Sequence, residues 1–250
     1  MTWNEDTIEQ AALEWLEGLG YEVINGIEIQ PEGEKEERKG FEEVILKDRF
    51  SERVHALNPD IPQEAIEDAI QQVLVIDGAT LTIKNKIFHK MLRDGVNVEY
   101  RDNNGRVVGD TVSLIDYENP KNNNWAAVNQ FTVIESGNNR RPDIIIFVNG
   151  IPLSVIELKN LGNEDATIES AYMQLQTYKD QIPSLFDYNA LLVISDGVKA
   201  EVGSLTANIE WFKPWKTITG EEFEPQGMLE LEVLLKGIFE KERFLSLIHI

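Results

Sequence analysis

The sequence predicts a mixed α/β domain, and three observations support this class. The first 95 residues have mostly helical periodicity, and short strand-like runs begin at Val96. Two strongly apolar segments after residue 142 are then followed by a long amphipathic helix and another apolar run. This order of helices, a meander of strands and a strand–helix–strand unit is typical of a mixed sheet flanked by helices.

The N-terminal part, residues 1–95, is predicted to be mostly helical. Residues 5–19 place apolar side chains at intervals of three and four, and residues 21–24 have the pattern of a short strand. Residues 28–43 are rich in glutamate, which indicates a solvated loop. Further helices are expected over residues 41–57, 62–74 and 82–93, because Pro62 suits a first helical turn and Gly95 suits a helix end.

Strands are predicted from Val96 onward. Residues 96–100, 107–115 and 125–135 resemble strands, and Asn103-Asn104-Gly105 is a hairpin signal. Residues 143–148 and 153–158 are apolar at nearly every position, as in central strands that are buried on both faces. A helix is expected over 166–182, a buried strand over 190–194 and a late helix over 228–239. We therefore expect one domain, with a catalytic sheet and helix over 96–220 and a C-terminal helix over 221–250.

The composition excludes several classes of site. The 250 residues contain no cysteine and three histidines, which rules out disulfides and thiolate chemistry and disfavours a histidine-rich metal centre. Because Asp and Glu number 44, any metal is expected to be a hard cation bound by oxygen. No apolar run approaches the roughly 20 residues that span a bilayer, and the polar, acidic N-terminus does not resemble a signal peptide. These features predict a cytoplasmic protein.

The net charge of −21 argues against general nucleic-acid binding, because phosphate affinity comes largely from Lys and Arg. The basic residues are unevenly distributed, however, and Lys86, Lys90 and Arg93 are expected on one side of a helix. These three are candidate DNA contacts, with a solvated basic helix face as the alternative. Arg140 and Arg141 are a second candidate pair, because they precede Asp143 and can clamp a phosphate there; a simple turn is the alternative.

The most informative segment is residues 140–159, where two apolar strands meet at Asn149-Gly150 and carry charges at their far ends. A two-residue loop would pair position 143 with 156 and leave Glu157 on the opposite face. A loop of three or five residues would pair Asp143 with Glu157, and alternate strand positions would then place Lys159 on the same face. We predict the odd-length loop.

The chemistry explains why these residue types belong together. Two carboxylates on neighbouring strands repel each other unless a divalent cation lies between them. Mg²⁺ prefers such oxygen ligands, and a metal-activated water can attack a phosphodiester while a lysine stabilises the developing charge. The alternative is a salt bridge at a strand end, which is disfavoured because both strands are otherwise apolar.

Two further features lie on the predicted helices. Gln174 and Tyr178 are spaced i, i+4 and share one face of the helix after the Glu157 strand, where they are expected to reach the site. The alternative is a surface glutamine beside a half-buried tyrosine. Glu9 lies at the edge of the apolar stripe of the first helix and is a third candidate metal-binding carboxylate; an exposed glutamate is the alternative.

Asp143-x13-Glu157-x-Lys159 followed by Gln174-xxx-Tyr178 resembles the nuclease domain of type I restriction enzyme R subunits, which are RecB-like members of the PD-(D/E)xK superfamily. The resemblance covers most of the chain. Besides the five site positions, it includes the N-terminal segment 6–21, Ser195-Asp196-Gly197, and the segments 202–206 and 212–216.

The resemblance implies a restriction-endonuclease-like fold and a Mg²⁺-dependent endonuclease, with Mn²⁺ as a substitute. Asp143 and Glu157 would bind the metal, helped by the Leu158 carbonyl. Lys159 would be the catalytic lysine, and Gln174 and Tyr178 would position it or the DNA backbone. The implied partners are double-stranded DNA, helicase-like motor domains, and methyltransferase and specificity subunits.

The sequence contains no GxxxxGK[ST] motif, so ATP would bind only to motor domains that this chain lacks. Since R subunits are much longer, we expect an N-terminal fragment or a truncated chain. Two alternatives stay open: a RecB-like repair nuclease, and a non-catalytic docking domain of the same fold.

Overall fold

The computed structural model describes residues 5–102, 104–159, 167–224 and 227–249. Its helices are α1 (Glu5–Gly18), α2 (Gly26–Ile29), α3 (Lys47–Leu57), α4 (Gln63–Leu74), α5 (Leu81–Asp94), α6 (Ile168–Gln181), α7 (Pro183–Phe186), α8 (Glu230–Ile238) and α9 (Lys241–His249). Its strands are β1 (Glu22–Asn25), β2 (Val96–Arg101), β3 (Val107–Val112), β4 (Trp125–Asn129), β5 (Val133–Glu135), β6 (Asn138–Arg140), β7 (Ile144–Val148), β8 (Ile151–Leu158), β9 (Leu191–Ser195) and β10 (Ala200–Gly203).

The centre of the fold is a six-stranded mixed sheet in the order β1-β4-β7-β8-β9-β10. The β1–β4 and β8–β9 pairs are parallel, and the other neighbours are antiparallel. Every residue of β7 and β8 is buried, as predicted for central strands. Helix α1 packs against β1, β4, β8 and α8, whereas α6 packs against β8 and β9. The mixed α/β class and the restriction-endonuclease-like arrangement are therefore confirmed.

The prediction for residues 125–135 was one strand, but the structure forms two. Gln130 has a φ of 54°, a left-handed conformation that ends β4. The chain then forms β5, which pairs with β6 in a separate two-stranded sheet. A polar side chain at the break and a change of direction therefore replace the predicted continuous strand.

The helix predicted over 41–57 begins only at Lys47. The Leu46 amide donates to the Gly150 carbonyl at 2.9 Å, which ties residues before the helix to the turn between β7 and β8. Val44 to Leu46 are buried there. A tertiary contact thus overrides the helical periodicity of residues 41–46.

The ends of other helices and strands differ from the predicted ends by only a few residues. The predicted strand 107–115 ends at Val112, and the late helix begins at Glu230. The β2–β3 hairpin forms as predicted, although Asn103 of its turn lies outside the described residues. The C-terminal helix predicted over 221–250 is instead two helices, α8 and α9, and Ala166, the first residue of the helix predicted over 166–182, lies outside the described residues. Within the described ranges, no helix has the length and apolar character required to cross a lipid bilayer.

Candidate active site

The turn between β7 and β8 has two residues, so the predicted odd-length loop is wrong. Asn149 and Gly150 have φ values of 52° and 77°, and Val148 pairs directly with Ile151. The fully buried Asn149 side chain accepts from the Asn124 amide at 2.7 Å and donates to the Leu114 carbonyl at 2.9 Å. These bonds stabilise a left-handed residue inside the protein.

A β-bulge nevertheless restores the predicted register. Phe147 pairs with Pro152, whereas Ile146 pairs with Ser154, so that Leu153 is the extra residue. The Leu153 carbonyl accepts from the Ala190 amide at 2.7 Å, just before β9. Beyond the bulge Ile144 pairs with Ile156, and continuing this register places Asp143 opposite Glu157.

The carboxylates lie where β7 begins and β8 ends. The Leu158 amide donates to Asp143 Oδ2 at 2.6 Å, which holds the Asp143 side chain against the end of β8. Glu157 is 2% exposed, and its Oε1 accepts from Lys159 Nζ. The Lys159 side chain keeps 21% of its surface exposed and therefore lies between the buried carboxylate and solvent.

Helix α6 adds Tyr178 and Gln174 to these residues. Thr167 and Ser170 form a capping box that fixes the start of the helix. The buried Tyr178 hydroxyl lies near the side chains of Gln174 and Glu157. Burial raises the pKa of Tyr178 far above its ordinary value, the nearby charges of Glu157 and Asp143 raise it further, and the Gln174 side chain lowers it. The phenol therefore stays protonated at neutral pH and can donate a hydrogen bond.

The structure thus brings five predicted site residues together: Asp143, Glu157, Lys159, Gln174 and Tyr178. The donor set fits a hard divalent cation, because two carboxylates on adjacent strands supply oxygen ligands at a partly open strand end. Asp143, Glu157 and the Leu158 backbone are the groups that would hold such an ion. Their catalytic and metal-binding roles stay predictions.

Glu9 lies at the same end of the sheet, where it contacts two amides. Its Oε1 accepts from Asn129 Nδ2 at 2.7 Å, and Gln130 Nε2 lies 3.4 Å from both carboxylate oxygens. Asn129 pairs with Ile144, the residue after Asp143. Across the described ranges, no group of three or more His, Asp or Glu side chains is arranged to hold a metal, so Glu9 is not gathered with Asp143 and Glu157.

Sequence reasoning missed Asn129 and Gln130. The available signal was a pair of polar amides directly after the apolar run Trp125–Val128. Gly26 leaves room for this turn, because a Cβ there would lie 2.7 Å from the Asn129 carbonyl oxygen.

The predicted DNA contacts lie in two places. Arg140 and Arg141 precede Asp143, and Arg140 donates to Gln181 Oε1 at 2.5 Å. Helix α5, which carries Lys86, Lys90 and Arg93, is attached elsewhere: Asn85 Nδ2 donates to the Asn189 carbonyl at 2.8 Å, close to the start of β9. Glu157 is level with Ile194 near the end of β9, so α5 is anchored at the opposite end of that strand.

The three basic residues of α5 are all exposed to solvent: Lys86, Lys90 and Arg93. Arg93 Nε donates to the neighbouring Asp94 at 2.7 Å. The structure does not bring these residues to Asp143, and their contact with DNA stays a prediction.

Comparison with known proteins identifies the family. The family model of the type I restriction enzyme R protein N terminus matches residues 2–211. The type I restriction enzyme HindI endonuclease subunit of Haemophilus influenzae is 40% identical over 98% of this chain and 24% of its own length. A relative from Methanocaldococcus jannaschii is 32% identical over 98% of the chain and 25% of its own length.

A more distant relative, the type I restriction enzyme SauMSSORF170P endonuclease subunit of Staphylococcus aureus, is 29% identical over 78% of the chain and 19% of its own length. The chain therefore spans about a quarter of the length of the first two relatives. The family model covers most of the chain, including all the site residues named above, and the chain belongs to the family of type I restriction enzyme R protein N termini.

Proposed function

We propose that this chain is the nuclease domain of a type I restriction R subunit and that it hydrolyses phosphodiester bonds of double-stranded DNA with Mg²⁺. The observation that carries the proposal is the pairing of the two strand ends, with Asp143 beside the Leu158 amide and Glu157 beside Lys159 and Tyr178. Family membership favours this function over a repair exonuclease.

Each site residue would have a distinct task. Asp143, Glu157 and the Leu158 backbone would hold Mg²⁺, which when bound would supply Lewis acidity toward the phosphate and toward water. Lys159 would place positive charge beside the phosphate, where negative charge develops during cleavage. Tyr178 and Gln174 would hold Glu157 in place, so that its carboxylate keeps one orientation in a mostly apolar setting.

The remainder of the proposal concerns the longer protein. The chain covers 24% of its Haemophilus influenzae relative, so motor domains would supply ATP-driven translocation and the delivery of DNA. Methyltransferase and specificity subunits would choose the DNA sequence. A tethered nuclease needs little DNA affinity of its own, which is compatible with a net charge of −21.

Plasmid cleavage with Mg²⁺ or Mn²⁺ tests the proposal. We expect nicking or linearisation by the unaltered chain, loss of cleavage by at least about a hundredfold in Asp143→Asn and Lys159→Ala, and no change in the control Asp68→Asn. Asp68 is exposed on α4, far along the chain from the site. Equal cleavage by the unaltered chain and Asp143→Asn would contradict the proposal.

The acidic charge favours a second candidate, a non-catalytic docking domain. A Mn²⁺ titration separates the two functions, because it does not depend on DNA affinity. The nuclease requires that Mn²⁺ bind the unaltered chain more tightly than Asp143→Asn. Equal binding by the two proteins would favour the docking domain.

A further inference from the structure

The β5–β6 hairpin stands outside the six-stranded sheet and leads directly to Asp143. Val133–Glu135 pairs with Asn138–Arg140 around a two-residue turn, Ser136-Gly137, whose φ values of 51° and 82° are both left-handed. Only Arg141 and Pro142 separate this hairpin from Asp143. The position of the hairpin therefore determines what surrounds the candidate active site.

Four hydrogen bonds attach the hairpin to Gln181 at the end of α6 and to Ser184 in α7. Glu135 Oε2 accepts from the Ser184 amide at 3.1 Å and from the Ser184 hydroxyl at 2.7 Å. Arg140 Nε donates to Gln181 Oε1 at 2.5 Å, and Asn138 Nδ2 lies 3.4 Å from the Gln181 carbonyl. Because Gln181 ends the helix that carries Tyr178, the hairpin and the Tyr178 side chain are held by the same element. The Arg140 guanidinium is engaged in this attachment.

Arg141 differs from every other arginine of the chain. All nine arginines lie in the described ranges. Eight of them donate at least one hydrogen bond: Arg38, Arg49, Arg53, Arg93, Arg101, Arg106, Arg140 and Arg243. Arg141 is exposed and makes no hydrogen bond or ion pair with any residue that the structure describes. Among the nine arginines, all of which the structure describes, Arg141 is therefore the exception that donates no hydrogen bond.

The backbone around Arg141 is fixed although its side chain is free to bind. Strand β6 ends at Arg140, and the buried Pro142 restricts the conformation of the residue before it. Two residues of chain reach at most about 7 Å, so the Arg141 backbone lies within that distance of Asp143. A guanidinium offers planar, paired donors that match the oxygens of a phosphate.

We propose that Arg141 binds a DNA backbone phosphate next to the scissile one, and that Arg140 is a positioning residue that holds the hairpin through Gln181. This inference rests on the proposed nuclease function and divides the two arginines by role. Arg141 contributes affinity through charge, whereas Arg140 acts through the orientation of the hairpin.

Fluorescence anisotropy of a labelled DNA duplex, with Ca²⁺ in place of Mg²⁺, tests this division in the 250-residue chain. We expect Arg141→Ala to weaken binding about tenfold and to lower the slope of log affinity against log salt by about 1. Arg141→Lys retains the charge and should therefore have the same salt slope as the unaltered chain. Arg106→Ala removes an exposed hairpin arginine elsewhere and should leave both quantities unchanged.

The positioning role of Arg140 requires a different signature. Arg140→Ala and Gln181→Ala should lower the melting temperature to a similar extent, and the double variant should lose no more than either single one, because both remove the same hydrogen bond. Additive losses would overturn this role.

The Arg141 assignment would be overturned if Arg141→Ala had the same affinity and salt slope as Arg106→Ala. It would also be overturned if Arg141→Lys had a lower salt slope than the unaltered chain, or if the unaltered chain did not bind the duplex measurably at low salt. Cleavage that still depends on Asp143 would then show that only this inference had failed. Cleavage independent of Asp143 would instead remove the proposed function.

Discussion

Lys179 gives a quantitative test of how helix α6 is held in place. Its Nζ donates to the Leu205 carbonyl at 2.6 Å and lies 3.4 Å from Gln176 Oε1, and neither partner is charged. Burial lowers the pKa of Lys179 from the ordinary value of 10.5 to about 8. The test therefore varies the pH and compares the free energy of unfolding of the unaltered chain with that of Lys179→Met.

The direction in which the free energy of unfolding changes with pH follows from proton binding. Between pH 8 and 10.5 the unfolded chain keeps the Lys179 proton while the folded chain loses it, so this group makes the free energy of unfolding rise with pH. At 1.36 kcal/mol per pKa unit the upper bound is about 3 kcal/mol. The side chain is only half-buried, and solvent screening reduces the expected rise to about 1–2 kcal/mol.

Urea denaturation from about pH 7.5 to about pH 10 measures this effect. We expect the unaltered chain to gain about 1–2 kcal/mol relative to Lys179→Met over this range, because the variant lacks the titrating group. Lys90→Met, at an exposed position of α5, is the matched control. A constant difference between the unaltered chain and Lys179→Met at every pH would refute the reasoning.

Two further predictions follow from the site and its turn. Tyr178→Phe removes the hydroxyl near Glu157 and Gln174, so metal-dependent plasmid cleavage should slow about tenfold. The control Tyr172→Phe, on the same helix, removes a hydroxyl that lies 3.4 Å from the Ala207 carbonyl and should cleave normally. Equal rates for the two variants would contradict the role of Tyr178. Gly150→Ala should cost more than about 3 kcal/mol in urea denaturation, because the φ is 77° and the new Cβ would lie 2.5 Å from the Leu46 carbonyl oxygen. Gly105→Ala has a φ of 76° but open space around it, and should cost about 1 kcal/mol; equal losses would show that the close contact is unimportant.

The site residues were predictable where local geometry decides their placement. Alternation along a strand predicts that Glu157 and Lys159 share a face, and their ion pair agrees with that prediction. The i, i+4 spacing predicts that Gln174 and Tyr178 lie together, and the Gln174 side chain lies near the Tyr178 hydroxyl. These features depend on spacings of two and four residues, which the sequence displays directly.

Long-range partners were not predictable in the same way. The sequence does not indicate that Gln181 holds Arg140, or that Asn129 and Gln130 hold Glu9, because those residues meet only after the sheet and helices assemble. The helix start at Lys47 depends on a bond from Leu46 to Gly150, a residue about a hundred positions away in the chain. In each of these cases, a tertiary contact that the sequence pattern does not display determines the structure.

The bulge at Leu153 links the turn, the register and the proposed chemistry. A two-residue turn alone would place Glu157 on the face opposite Asp143, since a slip of one residue reverses every side chain of a strand. The two-residue Asn149-Gly150 turn is nevertheless stabilised, because the buried Asn149 side chain is hydrogen-bonded and Leu46 lies close to Gly150. The extra residue must therefore be inserted within β8, where Pro152 lacks an amide proton and the Leu153 carbonyl bonds to Ala190 beside β9. It follows that the charged ends of the strands meet because of a bulge several residues away, and that substitutions at Pro152 or Leu153 should affect the site without contacting it.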